Sequence, residues 1–466
     1  MVFSSKGVVF TNYINKRIIK KILSFTPAQL IPIGFATVIL IGAILLNLPI
    51  ASRDGQSIGF INALFTATSA VCVTGLVVVD TYTHWTLFGQ ITILFLIQIG
   101  GLGFMTMATL FSLVLGRRIG LKERLLIAES LNQCSLEGMV RLTKQILLGT
   151  LLFEMSGAII LSIQFIGEFG VANGIYKGIF HAISAFCNAG FDLMGEKEKF
   201  SSLVSYVDNT MVNLTIMALI VIGGLGFSVW DDVYRVKRFK ELRLHTKLVL
   251  MVTAVLLITG FLFFALLEYN NPNTLQPLGV KGKFLATMFQ SVTPRTAGFN
   301  TLPLPDLTNA SKFFTIILMF IGGSPGSTAG GIKTATAGVL IFAIISVLKG
   351  SEDTNIFERR VNVQVVLRAL AITVISLSIV VGTTVILSIF EQASFMEMFF
   401  EAVSAFGTVG LSLGITPSLS TVSKLAIIMT MFFGRVGVLT MALALTIKMK
   451  KSNANYKYPE GKIMVG

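Results

Sequence analysis

The sequence predicts an all-α membrane protein of four consecutive helix–pore-loop–helix repeats, eight transmembrane helices around one central pore. Three observations predict it: a composition too apolar for a soluble domain, basic charge confined to alternate connections, and a short glycine-terminated stretch that occurs four times. The 466 residues are 53% hydrophobic and 13% charged, with a mean hydropathy of +0.80. A soluble domain carries about 25% charged residues. Runs at 30–48, 91–115, 248–267 and 369–390 are long enough to cross ~30 Å of hydrocarbon at ~1.5 Å per residue.

The net charge of +14 follows from where the cations lie: 26 of the 37 Lys and Arg fall in 1–26, 116–145, 231–247, 349–368 and 446–466. These are every second connection plus both ends of the chain. The positive-inside rule makes all five cytoplasmic, and four hydrophobic pairs between inside termini give eight spans in a multi-pass cell-membrane protein. Charge distributed in this way sets topology, which displaces the nucleic-acid binding that +14 would suggest in a soluble protein. Cys72, Cys134 and Cys187 form neither a disulfide framework nor a metal-ligand spacing. Residues 1–26 carry Lys6, Lys16, Arg17, Lys20 and Lys21 with apolar residues among the last four. This suits an amphipathic helix on anionic lipid or, equally, a solvated tail. No signal-peptide pattern precedes Pro27, so the first span serves as its own insertion signal.

The repeated stretch ends at Gly75, Gly190, Gly298 and Gly410, at separations of 115, 108 and 112 residues. Its clear copies are Ser-Ala-Val-Cys-Val-Thr-Gly-Leu (69–76), Ser-Ala-Phe-Cys-Asn-Ala-Gly-Phe (184–191) and Ser-Ala-Phe-Gly-Thr-Val-Gly-Leu (404–411). The third copy, Val-Thr-Pro-Arg-Thr-Ala-Gly-Phe (292–299), diverges but keeps the terminal Gly-aromatic pair. A short apolar run precedes each copy, and a long one flanks it on either side, the arrangement of a potassium-channel pore module. Such a filter replaces an ion's hydration shell with backbone carbonyls, in a conformation that glycine reaches without steric cost. The chain divides as 1–26 cytoplasmic segment, 27–116 repeat one, 137–235 repeat two, 244–349 repeat three, 361–448 repeat four and 449–466 cytoplasmic tail. Spans at about 84–115, 209–230 and 423–447 read as continuous; only the second span of repeat three, 313–348, reads as broken.

That break is 322–334, with five glycines, a proline and several hydroxyl side chains, a composition that cannot hold a helix. Irregular backbone at membrane depth must line water or be buried in protein. A phosphate-binding loop is excluded because Ile332 separates Gly331 from Lys333 and no strand precedes the segment. The string Ile-Gly-Gly-Leu-Gly-Phe occurs at 99–104 and again at 222–227, which supports duplication and is compatible with a small-residue helix contact. Arg435 and Lys333 lie inside apolar segments, where charge costs on the order of 3 kcal/mol and points to function. His181 and Glu401 occupy equivalent slots in two pore helices and read as structural.

These features resemble the pore-forming subunit of the Trk/Ktr/HKT cation-transporter superfamily, most closely the bacterial Ktr type. The four filter motifs, the 322–334 break and Phe433-Gly-Arg-Val-Gly437 carry the resemblance over nearly the whole chain. It implies potassium uptake, with coordinating carbonyls on Cys72, Val73, Thr74 and Gly75; on Cys187, Asn188, Ala189 and Gly190; on Arg295, Thr296, Ala297 and Gly298; and on Gly407, Thr408, Val409 and Gly410. Glycine at all four ring positions is similar to the potassium-selective members. It further implies a gate formed by Gly322, Gly323, Gly326, Ser327, Thr328, Gly330, Gly331 and Lys333, with Arg435 as an electrostatic barrier that anchors the closed loop. A homodimer with one pore per protomer and a separate cytosolic ring of nucleotide-binding regulatory subunits are implied as well, with K⁺ as substrate and no cofactor in this chain. The alternative reading is a secondary transporter working by alternating access. No catalytic constellation points to an enzyme.

Overall fold

The computed structural model describes residues 27–103, 106, 107, 109, 125 and 139–446. The 1–26 segment with its lipid-helix reading, most of the 116–138 link, Cys134 and the 447–466 tail lie outside the described residues. In repeat one, α1 (Pro27–Leu46) leads to a short α2 (Phe60–Val71) and then α3 (Leu87–Leu102). Repeat two runs α4 (Met139–Phe169), α5 (Val171–Phe186), α6 (Thr210–Gly224) and α7 (Phe227–Val236). Repeat three comprises α8 (Leu244–Glu268), α9 (Val280–Val292), α10 (Asn309–Phe320) and α11 (Thr334–Leu348). A hairpin, β1 (Asn355–Ile356) with β2 (Arg359–Arg360), leads to repeat four: α12 (Val363–Phe390), α13 (Phe395–Gly407), α14 (Thr421–Val436) and α15 (Val438–Thr446).

The first helix of each repeat is continuous, and α1, α4, α8 and α12 are each long and apolar enough to cross a membrane. Buried positions on α12 (Ala369, Ser376, Val380, Thr383, Thr384, Leu387) form one stripe at helical spacing, while Leu370, Val374, Leu377, Val381 and Val385 are exposed. An apolar helix buried along one stripe and greasy on the rest has hydrocarbon as its outer solvent. Side-chain oxygens start the helices that follow the glycine turns: Thr86 caps α3, Asn209 α6, Thr308 α10 and Ser420 α14. Ser394 and Glu397 close a capping box at the head of α13. Each cap satisfies an amide that has no partner within the helix.

The expectation of a single broken span is corrected: the second helix breaks in every repeat. α3 ends at Gly103 (φ +83°), α6 turns by 96° into α7 around Gly226 (φ +92°), and α14 stops at Gly437 (φ +90°). The apolar run continues through each break, so hydropathy alone does not register it. Three residues before each break, a further glycine lies directly against a pore helix. A Cβ on Gly100, Gly223 or Gly434 would collide with the carbonyl of Val71, Phe186 or Phe406, at the end of α2, α5 or α13. The repeated Ile-Gly-Gly string is therefore both a trace of duplication and a close contact. Trp230 completes the break in repeat two by donating from Nε1 to the Ile222 carbonyl at 3.0 Å and packing against Phe186. The protein core forms around the pore helices, with Phe65, Phe165, Phe180 and Phe186 fully buried on one side and Phe400 and Phe406 on the other.

Candidate functional site: the glycine ring and the loop beneath it

The four repeat glycines meet in space. A Cβ added to Gly75 would stand 2.6 Å from the Ala189 carbonyl oxygen, and one on Gly190 2.8 Å from Gly298 Cα. One on Gly298 would stand 2.6 Å from the Val409 carbonyl oxygen, and one on Gly410 2.8 Å from Gly75 Cα. Repeat one thus touches two, two touches three, three touches four and four returns to one, a closed ring in chain order. All four have positive φ, between +69° and +92°, and each neighbour takes the space a side chain would need. Two residues before each glycine, Val73, Asn188, Thr296 and Thr408 also take positive φ (+53°, +57°, +62°, +49°). A β-branched residue holds that conformation only at a cost of about 1–3 kcal/mol, so surrounding contacts impose the turn.

Those contacts are visible. The Thr74, Ala189 and Val409 amides donate to the carbonyls of Ser69, Ser184 and Ser404 at 2.8, 2.8 and 2.9 Å. In repeats one and four the serine hydroxyl also accepts from the ring glycine's amide, at 3.1 Å in both. In repeat two Ser184 Oγ instead donates to the Phe191 carbonyl at 2.7 Å. The divergent third copy has Val292 where the others have serine, yet Thr293 supplies the hydroxyl and donates to the Phe299 carbonyl. The anchor is retained one residue closer to the glycine, and the Ala297 amide bonds the Thr293 carbonyl at 3.0 Å accordingly.

Helices α2, α5, α9 and α13 all end at the ring, with Cys72, Cys187, Thr293 and Thr408 as their C-caps. Each helix C-terminus carries about half a negative charge, so four of them converge on the ring. Arg295 belongs to the third strand of the ring, but its guanidinium turns outward to Thr253 Oγ1 at 3.3 Å. Its carbonyl accepts from Asn188 Nδ2 at 3.4 Å. Among the described residues no group of three or more His, Cys, Asp or Glu could hold a metal ion. A cavity of about 340 Å³ on one side of the ring is lined by the four glycines together with Asp80, Asp192 and Glu198.

The structural readings of His181 and Glu401 hold. His181 Nδ1 pairs with the Lys177 carbonyl at 2.7 Å and Nε2 accepts from the Leu193 amide at 3.3 Å. Glu401 accepts from Ser412 Oγ at 2.8 Å and Thr416 Oγ1 at 2.5 Å. Both tie a pore helix to the chain just past its ring glycine. Replacing His181 with Leu leaves the buried Leu193 amide without its acceptor, and is expected to cost about 1–3 kcal/mol. Thermal unfolding of the detergent-purified protein checks it, and an unchanged midpoint would remove His181 from the support of the ring.

Below the ring, the chain from Ile321 to Lys333 leaves α10, loops back and enters α11. The Gly322 amide bonds the Ile332 carbonyl at 2.8 Å and the Thr334 amide the Gly323 carbonyl at 3.0 Å, pinching the loop's neck. Its body rests on the break in repeat two: the Ser324 and Thr328 amides donate to the carbonyls of Gly224 (3.0 Å) and Gly223 (3.3 Å), and the Phe227 amide to that of Gly326 (2.9 Å). Gly330 and Gly331 lie against Thr408 and Gly407, so the loop presses on the underside of the ring. Arg435 fixes it from the other side, donating to the carbonyls of Thr328 and Gly100 and, at 3.1 Å, of Gly101. Lys333 folds its ammonium back onto the Ala329 carbonyl at 2.7 Å. A second cavity of about 240 Å³, lined by Gly326, Ser327, Ala329, Lys333 and Arg435, opens on the far side of the loop. Ring and loop together separate the two cavities. The carbonyl partners Gly100, Gly101, Gly223 and Gly224 were not legible as site residues, since a backbone acceptor has no side-chain signature; the shared Ile-Gly-Gly string was the only pointer.

The profile of a family described as "TrkH: Cation transport protein" matches residues 8–457. The chain is 46% identical to the Ktr system potassium uptake protein B of Bacillus subtilis, over 96% of this chain and 98% of that one. It is 45% identical to the potassium/sodium uptake protein NtpJ of Enterococcus hirae, over 97% and 100%. The crystal structure of the potassium transporter TrkH from Vibrio parahaemolyticus shares the fold, with a TM-score of 0.67 at 19% identity over 89% of this chain and 84% of that one. With a closed four-repeat ring and matches of this extent, the chain belongs to the TrkH family of cation transport proteins.

Proposed function

We propose that this protein takes up potassium across the cell membrane through the glycine ring, with the 322–334 loop and Arg435 as the gate beneath it. The observation that carries the reading is the closure of the ring in chain order, since only then do four sets of backbone carbonyls face one axis. In it, K⁺ exchanges water for the carbonyls of 72–75, 187–190, 295–298 and 407–410, in the field of four helix C-termini. The membrane potential then draws it inward with ~2.3 kcal/mol per charge per 100 mV. The repeats extend over 27–116, 137–235, 244–349 and 361–448, with both termini cytoplasmic. Two protomers, each with its own pore, associate in the membrane, and a separate nucleotide-binding ring docks on the basic cytoplasmic face, which includes 231–247. The names of relatives support potassium as cargo, one naming a Ktr system and another sodium as well.

The test is tracer flux into liposomes holding the purified protein, comparing K⁺, Rb⁺ and Na⁺. Passive flux favouring K⁺ and Rb⁺ is expected. Equal K⁺ and Na⁺ flux would remove selectivity from the ring, and uptake that stalls without a coupled ion gradient would favour alternating access.

A further inference from the structure

The residue two before each ring glycine is Val73, Asn188, Thr296 and Thr408 in turn, and the last three of these side chains meet the loop. A Cβ on Gly322 would come within 3.3 Å of Thr296 Cγ2, and one on Gly330 would strike Thr408. Among the described residues Thr408 Oγ1 itself has no hydrogen-bond partner, and the Val73 side chain has no polar group to offer. Asn188 is different. Its Oδ1 lies 3.0 Å from Thr328 Oγ1, the hydroxyl that also reaches the Phe186 carbonyl at 3.3 Å. Its Nδ2 faces the next repeat, 3.3 Å from Thr296 Oγ1 and 3.4 Å from the Arg295 carbonyl. One amide thus joins the second and third strands of the ring to each other and to the loop.

Thr328 is the matching hub on the loop: its amide donates to Gly223, its hydroxyl bonds Asn188 and its carbonyl accepts from Arg435. Withdrawing the loop therefore breaks the Arg435 and Asn188 contacts in one movement. Asn188 is almost wholly buried, so its freed oxygen must find another donor or a passing cation, and its grip on Thr296 and the Arg295 carbonyl shifts with it. We infer that Asn188 is a specificity-determining residue whose side chain couples the position of the 322–334 loop to the geometry of the carbonyl ring, so that ion preference depends on whether the gate is closed. This rests on the filter-and-gate reading above.

The experiment is K⁺ and Na⁺ flux in liposomes for the parent, Asn188→Val, Thr328→Val and the double variant, and for a loop shortened by residues 327–329 in the parent and Asn188→Val backgrounds. Valine stands at the equivalent position of repeat one with the same positive φ, so the backbone accepts it; Asn188→Thr, as in repeats three and four, replaces it if the valine variant does not fold. Each single substitution is expected to raise resting K⁺ flux about fivefold, what one net hydrogen bond is worth, and the double no further. Shortening the loop should reduce the K⁺ over Na⁺ preference of the parent and leave that of Asn188→Val where it already stands. Single effects that multiply, or a loop-dependent preference that survives in Asn188→Val, would overturn the coupling while K⁺-preferring parent flux upholds the filter. A parent without K⁺ preference would overturn the filter reading itself.

Discussion

Gly298→Ser is expected to lower K⁺ flux tenfold or more, a loss of about 1.4 kcal/mol or greater at the site, and to narrow the margin over Na⁺. Two costs combine. At φ +80° any side chain carries about 1–2 kcal/mol of backbone strain, and the new Cβ would stand 2.6 Å from the Val409 carbonyl oxygen and 2.9 Å from Gly190 Cα. Both neighbours are ring backbone, so relief comes only by widening the ring. A carbonyl cage with changed radius repays less of the dehydration of K⁺ and penalises Na⁺ less for being small. Gly55 separates the two costs: it has φ +66° and nothing within 4 Å of a Cβ, so Gly55→Ser adds strain without crowding. Its flux is expected to match the parent within about twofold, as for an exposed site whose change costs little. Liposome flux of monodisperse protein gives both readings. A folded Gly298→Ser protein that still prefers K⁺ at the parent rate would show that ions do not cross at this ring.

The ring could be read from the sequence because its constraint falls on residue type. A strand that needs positive φ and has a neighbour against its Cα excludes every residue but glycine, and the requirement recurs in each repeat. The serines that open three of the copies were visible as a recurrence, though not as anchors. The Thr293 substitute was not, because it sits one place out of register and its role depends on the carbonyl of Phe299. The breaks at Gly103, Gly226 and Gly437 went unread since glycine is common in membrane helices and the apolar character runs on unchanged across them. The 322–334 loop was readable only because glycine, proline and hydroxyls accumulate there. Its partners were not: Gly100, Gly101, Gly223 and Gly224 bind it through carbonyls, and Asn188 meets Thr328 across 140 residues of chain.

Arg435→Ala is expected to raise resting K⁺ flux by about 10–100-fold, because it removes a clamp and a charge together. The guanidinium spans the Thr328 carbonyl on the loop and the Gly100 and Gly101 carbonyls at the end of α3. Hydrogen bonds from a charged group are worth about 1.5–3 kcal/mol, and that stabilisation applies only while the loop is in place. Losing it moves the closed–open balance by roughly the stated factor. The remaining backbone bonds to Gly223, Gly224 and Phe227 continue to favour closure, so the variant should leak without standing fully open. Arg435→Lys keeps the charge beside the cavity under the loop but cannot bridge both carbonyl groups with a single ammonium. If the clamp dominates, lysine behaves like alanine; if the electrostatic barrier dominates, lysine behaves like the parent. Deleting 326–330 in the presence of Arg435 supplies the converse, an unplugged path with the charge retained, and should also raise flux. A correctly inserted Arg435→Ala protein with unchanged flux would reduce the arginine to a packing element of the helix break, since a barrier or a clamp must each, on removal, let more cations through.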